Sequence, residues 1–464
     1  MIVMKFGGTS VGSAERMQSA ARIVQDAGGT SPIVVLSAMA GVTDRLIAAG
    51  DRAVQGKAAE LRTDLDSIRR THEDTIDALI PDAPGRDALR RSIAPVWEEI
   101  ENVFTGVLLL REMSPRSRDL ISSFGERLSV PIFTACLIAV GVPALAIDAR
   151  QVIITREDTD FALVDFDQTR RRARAMADGI EEGVVPVVAG FLCATPEGVS
   201  TTLGRGGSDY SASILGHCLN ASEIQIWTDV DGVMTADPRT VPDARVLDRV
   251  TYKEAAEMSY FGAKVLHPKT ILPAADLGIP IRIKNTLNPS APGTLIGPEA
   301  SSRHQGVKNV TSIRGVAMVS IEGSGMIGVP GTAERAFAAI ARERANVLMF
   351  SQGSSEQHIS LVVTRSDSAN TVRALRREFQ PEIEKRQIDR VAEISDIAII
   401  ALVGEGLKSI PGIAGRTFTV IGEIESNILM IAQGSSELNL SLVVSEDIAD
   451  EVVRRIHRAF ELAE

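Results

Sequence analysis

The C-terminal third of the chain carries one pattern twice. VPGTAERAFAAIARERANVLMFSQGSSEQHISLVV begins at Val329, and IPGIAGRTFTVIGEIESNILMIAQGSSELNLSLVV begins at Ile410. Pro330 answers Pro411, Asn346 answers Asn427, Gln352 answers Gln433 and Leu361 answers Leu442, all at one constant separation. Upstream, Val310 and Ile313 answer Val391 and Ile394 at the same separation. A register kept over this length means two copies of one module. Each copy reads as strand, Pro-Gly loop, helix, strand, Gly-containing turn, strand, helix. That is a small α+β unit with a mainly antiparallel sheet. Two copies are too few for a solenoid, so their sheets are expected to pair side by side.

The N-terminal part is organised differently. Apolar, strand-like runs at Ile2–Phe6, Ile33–Ser37, Pro143–Ile147, Val184–Ala189 and Glu223–Thr228 alternate with helical patterns. The helical patterns are Ala14–Asp26, about Gln55–Leu79, Ile93–Leu110, Glu126–Val140, Asp167–Glu181 and Tyr210–Leu219. Such alternation predicts an α/β domain around a mainly parallel sheet. From Asn285 to His304 the sequence turns rich in Pro, Gly, Ser and Asn, which reads as a strand end followed by a linker. The expected division is 1–298 for the first domain and 307–385 and 386–464 for the two modules, whose strands can interleave. A chain of 464 residues accommodates about three domains.

Charge removes several classes of function. The net charge of −11 argues against a nucleic-acid surface, and aromatic residues at 4% are too few for base stacking. Anionic substrates would need a locally cationic site. The opening MIVMKF has no secretory pattern, and the longest apolar stretch, around Thr134–Ile147, is too short to span a bilayer. A cytoplasmic protein without membrane contact is expected. Cys136, Cys193 and Cys218 lack metal-ligand spacing and read as buried free thiols; no resident metal site is expected.

Five motifs carry chemistry. In MKFGGTSVGSAER, Lys5 ends a strand and Gly7, Gly8, Thr9 and Ser10 lead to a helix. Glycines let backbone amides approach an anion and Lys adds charge, although Lys precedes the glycines, unlike a Walker loop. A bare Gly-Gly would be an ordinary turn; the attached Lys and Thr-Ser favour phosphate. In TTLGRGGSDYSAS, Arg205 between glycines offers a planar fork for a carboxylate, while Ser208 or Asp209 could equally cap a helix. In SSFGERLS, Glu126 is read as starting a helix after Gly125, either as a first-turn acid or as a grip for an ammonium group. In IWTDVDGVMTADPR, Thr228 and Asp229 end a strand, and Asp231 and Asp237 suit turns. In YFGAKVLHPKT, Lys264 follows Gly262, and His267 before Pro268 reads as structural.

These motifs, with SAMAGVTDRL at Ser37–Leu46, resemble aspartate kinases of the amino-acid kinase family, and the repeat is similar to the paired ACT modules of those enzymes. The resemblance spans essentially the whole chain. It implies an α/β amino-acid kinase fold, with a mainly parallel sheet between helices, followed by two α+β, ferredoxin-like ACT modules. It implies ATP with Mg2+ and L-aspartate as substrates. It gives Lys5 and Asp209 catalytic roles, Lys5 stabilising the transferring phosphoryl group and Asp209 organising it. Thr43, Glu126, Arg205 and Ser208 would hold aspartate. Gly7, Gly8, Thr9, Ser10, Thr228, Asp229, Asp231, Arg239 and Lys264 would serve phosphate and nucleotide. It implies a homodimer or tetramer through the ACT modules, and an inhibitory amino acid bound near Asn346, Gln352, Asn427 and Gln433. A lysine effector would need an acid for its second ammonium group. Neither Asn346–Ser355 nor Asn427–Ser436 contains one, which favours threonine. Because the second copy ends the sequence, no fused homoserine dehydrogenase is expected. The alternatives are a kinase for another amino acid and a catalytically silent amino-acid sensor.

Overall fold

Strands that are apolar along their whole length need cover on both faces, and a sequence that inserts helices between them supplies it. The computed structural model describes residues 1–156, 163–262, 266–299, 306–353, 355–407, 409–433 and 438–463. The chain forms two compact units: Met1–Val233 with Val246–Ala256 and Lys264–Ala300, and Met234–Arg245 with Glu257–Ala263 and Ser301–Glu464. Two segments from within 1–298 thus belong to the second unit.

The strands of the first unit are β1 (Ile2–Phe6), β2 (Pro32–Leu36), β3 (Ala144–Ile147), β4 (Thr155–Arg156), β5 (Leu163–Val164), β6 (Val185–Ala189), β7 (Leu192–Ala194), β8 (Ser200–Thr202), β9 (Glu223–Thr228), β10 (Arg249–Thr251), β11 (Ile281–Asn285) and β12 (Thr294–Gly297). Eight of them make one sheet in the order β10-β12-β11-β9-β1-β2-β6-β3, parallel throughout except between β11 and β12. Every residue of β1, β2 and β6 is buried. The presence of β12 corrects the expectation of a plain linker after Asn285. Its Thr294 is fully buried and donates to the Leu247 carbonyl at 2.6 Å.

The helices are α1 (Ala14–Asp26), α2 (Val42–Val54), α3 (Ala58–Leu79), α4 (Ala83–Leu110), α5 (Pro115–Ala139), α6 (Phe166–Asp178), α7 (Gly207–Leu219), α8 (Tyr252–Tyr260) and α9 (Pro268–Leu277). Two starts differ from the sequence expectation by ten residues or more. Helix α4 begins ten residues before Ile93, where the Asp82 carboxylate accepts the Gly85 N–H at 2.7 Å. Helix α5 begins at Pro115, where the Ser114 hydroxyl accepts the Ser117 N–H at 3.1 Å. Glu126 therefore does not open a helix; it sits in the middle of one. Helix α5 is long and apolar enough to cross a bilayer by length and composition, but most of it is buried in this unit.

The second unit is an antiparallel sheet of β13 (Asn309–Glu322), β14 (Val347–Gln352), β15 (His358–Thr364), β16 (Arg390–Val403), β17 (Met430–Ala432) and β18 (Asn439–Ser445), ordered β14-β15-β13-β16-β18-β17. Helices α10 (Thr332–Arg342), α11 (Arg365–Glu378), α12 (Gln380–Glu384), α13 (Ile413–Gly422) and α14 (Ala449–Ala459) complete it. Each copy of the repeat has its expected order of elements. The two copies share their longest strands. The distal half of β13 (Val319, Ile321) and the start of β16 (Val391) enclose one core with Ala336, Ile340, Leu361 and Leu375. The start of β13 (Val310) and the distal half of β16 (Ile400, Leu402) enclose the other with Ile421, Leu442 and Ile456. Register shifts around Val316 mark the change of core. No single cut in the chain separates the modules.

Candidate active site

Strand β1 ends on Lys5 and Phe6, and the chain turns at once through Gly7–Ser10. Lys5 Nζ meets Asp209 Oδ1 at 2.5 Å, with the two side chains 11% and 15% exposed. Asp209 stands in the first turn of α7. It does not cap that helix and neither does Ser208, because the cap is Gly206. The capping alternative for these two residues is thereby removed.

A cleft of about 400 Å3 opens over this ion pair, lined by Lys5, Gly7, Gly8, Thr9, Ala40, Gly41, Asp209, Ile226, Thr228 and Asp229. The parallel sheet explains its place. Chain segments following the C-terminal ends of the adjacent strands β2, β1 and β9 converge there, the usual ligand crevice of an open α/β sheet. Thr228 donates to its neighbour Asp229 at 3.2 Å.

Glu126 is the second charged centre. It is 4% exposed, and its Oε2 has no hydrogen-bond partner among the described residues. Burial pushes its carboxyl up to about 8, against the opposing pull of the Ala38 N–H, its own N–H and the Lys5 ammonium. The approach of α5 to the turn after β2 creates this position. A Cβ on Gly125 would lie 2.6 Å from Ala38 Cβ and 3.5 Å from Thr43 Oγ1. Gly125→Ala must therefore push α5 off the turn. Its expected cost is about 1–3 kcal/mol of stability, with Glu126 displaced. Denaturant unfolding, together with activity at saturating ATP, checks this.

Arg205 occupies the first corner of a tight turn. Gly207 N–H donates to the Gly204 carbonyl at 2.9 Å, and Gly206, at φ 72° and ψ 14°, fills the second corner. That is a type II geometry, which needs positive φ at this position. A Cβ on Gly206 would also lie 2.5 Å from the His267 Cβ. His267 itself caps α9, accepting the Lys269 N–H at 3.2 Å, which agrees with its structural reading. Arg205 is exposed and makes no ion pair among the described residues. Ser208 packs on Gly190, its Oγ 2.8 Å from where a Cβ there would sit.

Of the expected residues, Lys5, Gly7, Gly8, Thr9, Asp209, Thr228 and Asp229 line the cleft, whereas Thr43, Glu126, Arg205, Ser208, Ser10 and Asp231 of the same unit are not in its lining. Ser10 is 2% exposed, its hydroxyl 2.7 Å from Thr286 Oγ1 and 3.3 Å from the Trp227 carbonyl, so it braces the loop from behind. Asp231 accepts from Asn285 Nδ2 at 2.8 Å and Asn288 Nδ2 at 3.2 Å, the behaviour of a turn residue. Arg239 belongs to the second unit, where it folds back on Asp237 at 2.6 Å. Lys264 lies outside the described residues. Sequence reasoning did not single out Ala40, Gly41 or Ile226 in the cleft wall, nor Phe191. Phe191 holds a φ of 68°, rare for a bulky side chain, directly after Gly190. The only signal for it was a glycine ending a buried strand.

In the second unit Asn346, Gln352, Asn427 and Gln433 are all exposed. The two glutamines follow or end the edge strands β14 and β17. The three cysteines are buried and unpaired, with burial pushing Cys136 and Cys218 up to about 11 and Cys193 to about 12.

Comparison with known proteins places this arrangement. Residues 1–285 match the amino acid kinase family, and residues 319–379 and 400–460 match the ACT domain. Aspartokinase 3, chloroplastic, of Arabidopsis thaliana is 36% identical over 476 residues, covering 99% of this chain and 81% of that protein. The chain belongs to the aspartokinases of the amino acid kinase family. The chain is also 36% identical over 465 residues to the bifunctional aspartokinase/homoserine dehydrogenase of Haemophilus influenzae. It spans about half the length of the first curated relatives it matches. Among solved structures it aligns with E. coli aspartokinase III over 99% of both chains at 31% identity. The TM-score is 0.84 for that enzyme in complex with aspartate and ADP (R-state), and 0.79 for its complex with lysine and aspartate (T-state).

Proposed function

We propose that the chain transfers the γ-phosphoryl group of MgATP to the β-carboxylate of L-aspartate. The products are 4-phospho-L-aspartate and ADP, a first step toward lysine, threonine and methionine. The observation that carries this reading is the buried Glu126 carboxyl with a free oxygen among the described residues, close enough to feel the Lys5 ammonium. A buried anionic group without a partner is costly unless a cation arrives to meet it. An amino-acid ammonium group is such a cation. Arg205 supplies the complementary fork for the α-carboxylate, and Ser208 and Thr43 supply hydroxyls beside it. E. coli aspartokinase III, which shares this fold, has been seen with aspartate and ADP.

The chemistry needs no general base. A β-carboxylate has a reference pKa of about 3.9 and is already ionised. One of its oxygens attacks the γ-phosphorus, the bond from that phosphorus to the β–γ bridging oxygen breaks, and ADP leaves with that electron pair. The obstacle is the meeting of two anions. Lys5 offsets it at the transferring group, held in place by Asp209, with the Gly7–Thr9 backbone alongside. Thr228 and Asp229 form the nucleotide side, Lys264 is assigned to nucleotide binding by the resemblance alone, and Mg2+ enters with the phosphates. The test is ADP release across acceptors. Aspartate should support turnover, while glutamate, N-acetylglutamate and nucleoside monophosphates should not. Equal turnover with glutamate, or none with aspartate, sinks the reading.

The second unit is proposed to sense an end-product amino acid, threonine in preference to lysine, near Asn346, Gln352, Asn427 and Gln433. Glu356, the acid just after the first acid-free stretch, is already engaged by the Gly328 N–H at 2.7 Å. That supports a ligand without a second ammonium group. The observation favouring lysine is its presence in the E. coli aspartokinase III complex. Activity at millimolar threonine should fall at least severalfold while lysine has little effect; the reverse pattern would reassign the effector. Exposed Phe350 and Ile431 on the edge strands support pairing of copies into dimers or tetramers.

A further inference from the structure

Thr202 closes the β7–β8 hairpin, three residues before Arg205, and its hydroxyl donates to Asp119 Oδ1 at 3.0 Å. Asp119 stands on α5 seven residues before Glu126. Seven residues are almost two full turns, so the two carboxyls share one face about 10 Å apart along the axis. One helix therefore carries both the Glu126 carboxyl and the anchor of the strand that leads into the Arg205 turn.

We propose that Asp119, acting through Thr202, is a positioning residue that fixes the separation of Arg205 from Glu126 and so the fit of the amino-acid acceptor. Four features support it. First, the segment between anchor and fork is short and constrained: Leu203 N–H is tied to the Phe191 carbonyl at 2.9 Å, and Arg205 lies in the closed turn that follows. Movement at Thr202 has little slack in which to be absorbed before Arg205. Second, Thr202 is 8% exposed, so its hydroxyl has little water to turn to if Asp119 is lost. Third, partial burial raises the Asp119 carboxyl while the Thr202 hydrogen bond pulls it down. A carboxylate kept half out of water for one neutral donor is a poor bargain for folding alone. Fourth, neither residue belongs to the lining of the cleft over the Lys5–Asp209 pair, which suits a role exerted through Arg205. The proposal rests on the reading in which Arg205 and Glu126 hold the two ends of aspartate.

Steady-state kinetics of the full chain test it. Thr202→Val keeps shape and removes the donor; Asp119→Ala removes the acceptor. Each should raise the KM for aspartate about tenfold while the KM for ATP stays within about twofold. Thr202→Ser and Asp119→Asn, which keep a donor and an acceptor, should restore nearly wild-type values. An unchanged aspartate KM in a folded Thr202→Val variant overturns the proposal. So does an equal rise in both KM values, or failure of both disruptive variants to fold, since each would mark the contact as serving the fold alone. A wild-type chain without aspartate turnover would overturn the functional reading and this inference together. Aspartate turnover with an unshifted Thr202→Val KM overturns this inference alone.

Discussion

Lys5→Ala is expected to lower kcat by about a thousandfold or more, while the protein stays folded. Preorganised charge at the transferring group is the largest catalytic resource of a site with no base to deploy, and a single such donor is worth about 10²–10³ in rate. Lys5 carries more than a usual donor because the attacking and leaving groups are both anionic. The fold survives because β1 is held by parallel ladders to β2 and β9 that do not involve the Lys5 side chain. Stability drops, since Asp209 loses its partner in a largely dry position; about 3 kcal/mol is the scale for breaking such a pair. Lys5→Arg should not rescue turnover. The ammonium lies 3.4 Å from where a Gly7 side chain would begin, too close for a planar fork. Circular dichroism with hydroxamate yield separates the two effects, and near-normal turnover in a folded Lys5→Ala removes the residue from its role.

Glu126→Gln produces the second large effect, and it depends on pH. The Glu126 carboxyl of the free protein is pushed up to about 8, so near neutrality it is mostly protonated. A substrate ammonium group selects the ionised form. The kcat/KM for aspartate should therefore climb about tenfold per pH unit and level off above about 8. Gln removes that slope and lowers kcat/KM on the plateau by about a hundredfold. Stability moves the other way. The folded-state pKa lies above the unfolded value of 4.5, so the acid form is the one the fold favours. That contribution is complete below about 4.5 and is lost as pH rises through about 8. Gln is neutral at every pH and keeps it. Glu126→Gln should therefore melt above the wild type at pH 9, with the gap closing toward pH 5. A pH-independent aspartate kcat/KM in the wild type would contradict this account.

Much of the first unit was legible because its signals are local. Ile2–Phe6 is a buried strand that ends where Gly-Gly begins, and Ser13 caps α1 by accepting the Arg16 N–H at 3.4 Å. The repeat was legible because two copies kept one register. Glu126 was misplaced at a helix start because Gly125 looked like a break. The glycine is there for a contact across the fold, with Ala38, that no local pattern reports. The true start is written as Ser114-Pro115, a cap followed by a first-turn proline. Arg239 has its nucleotide role only from the resemblance; the fold shows its fork on Asp237, two residues away. The shared strands β13 and β16 could not be divided in advance, because which half joins which core depends on pairing between residues far apart in the chain.

The most direct test of the account is trapping of the acyl phosphate with hydroxylamine, in parallel for the wild type and Lys5→Ala. The expected result is aspartyl hydroxamate that requires both ATP and aspartate in the wild type and is nearly absent in the folded variant. Wild-type protein that consumes ATP without yielding hydroxamate, or a variant that yields as much as the wild type, would contradict phosphoryl transfer to a carboxylate in the Lys5 cleft.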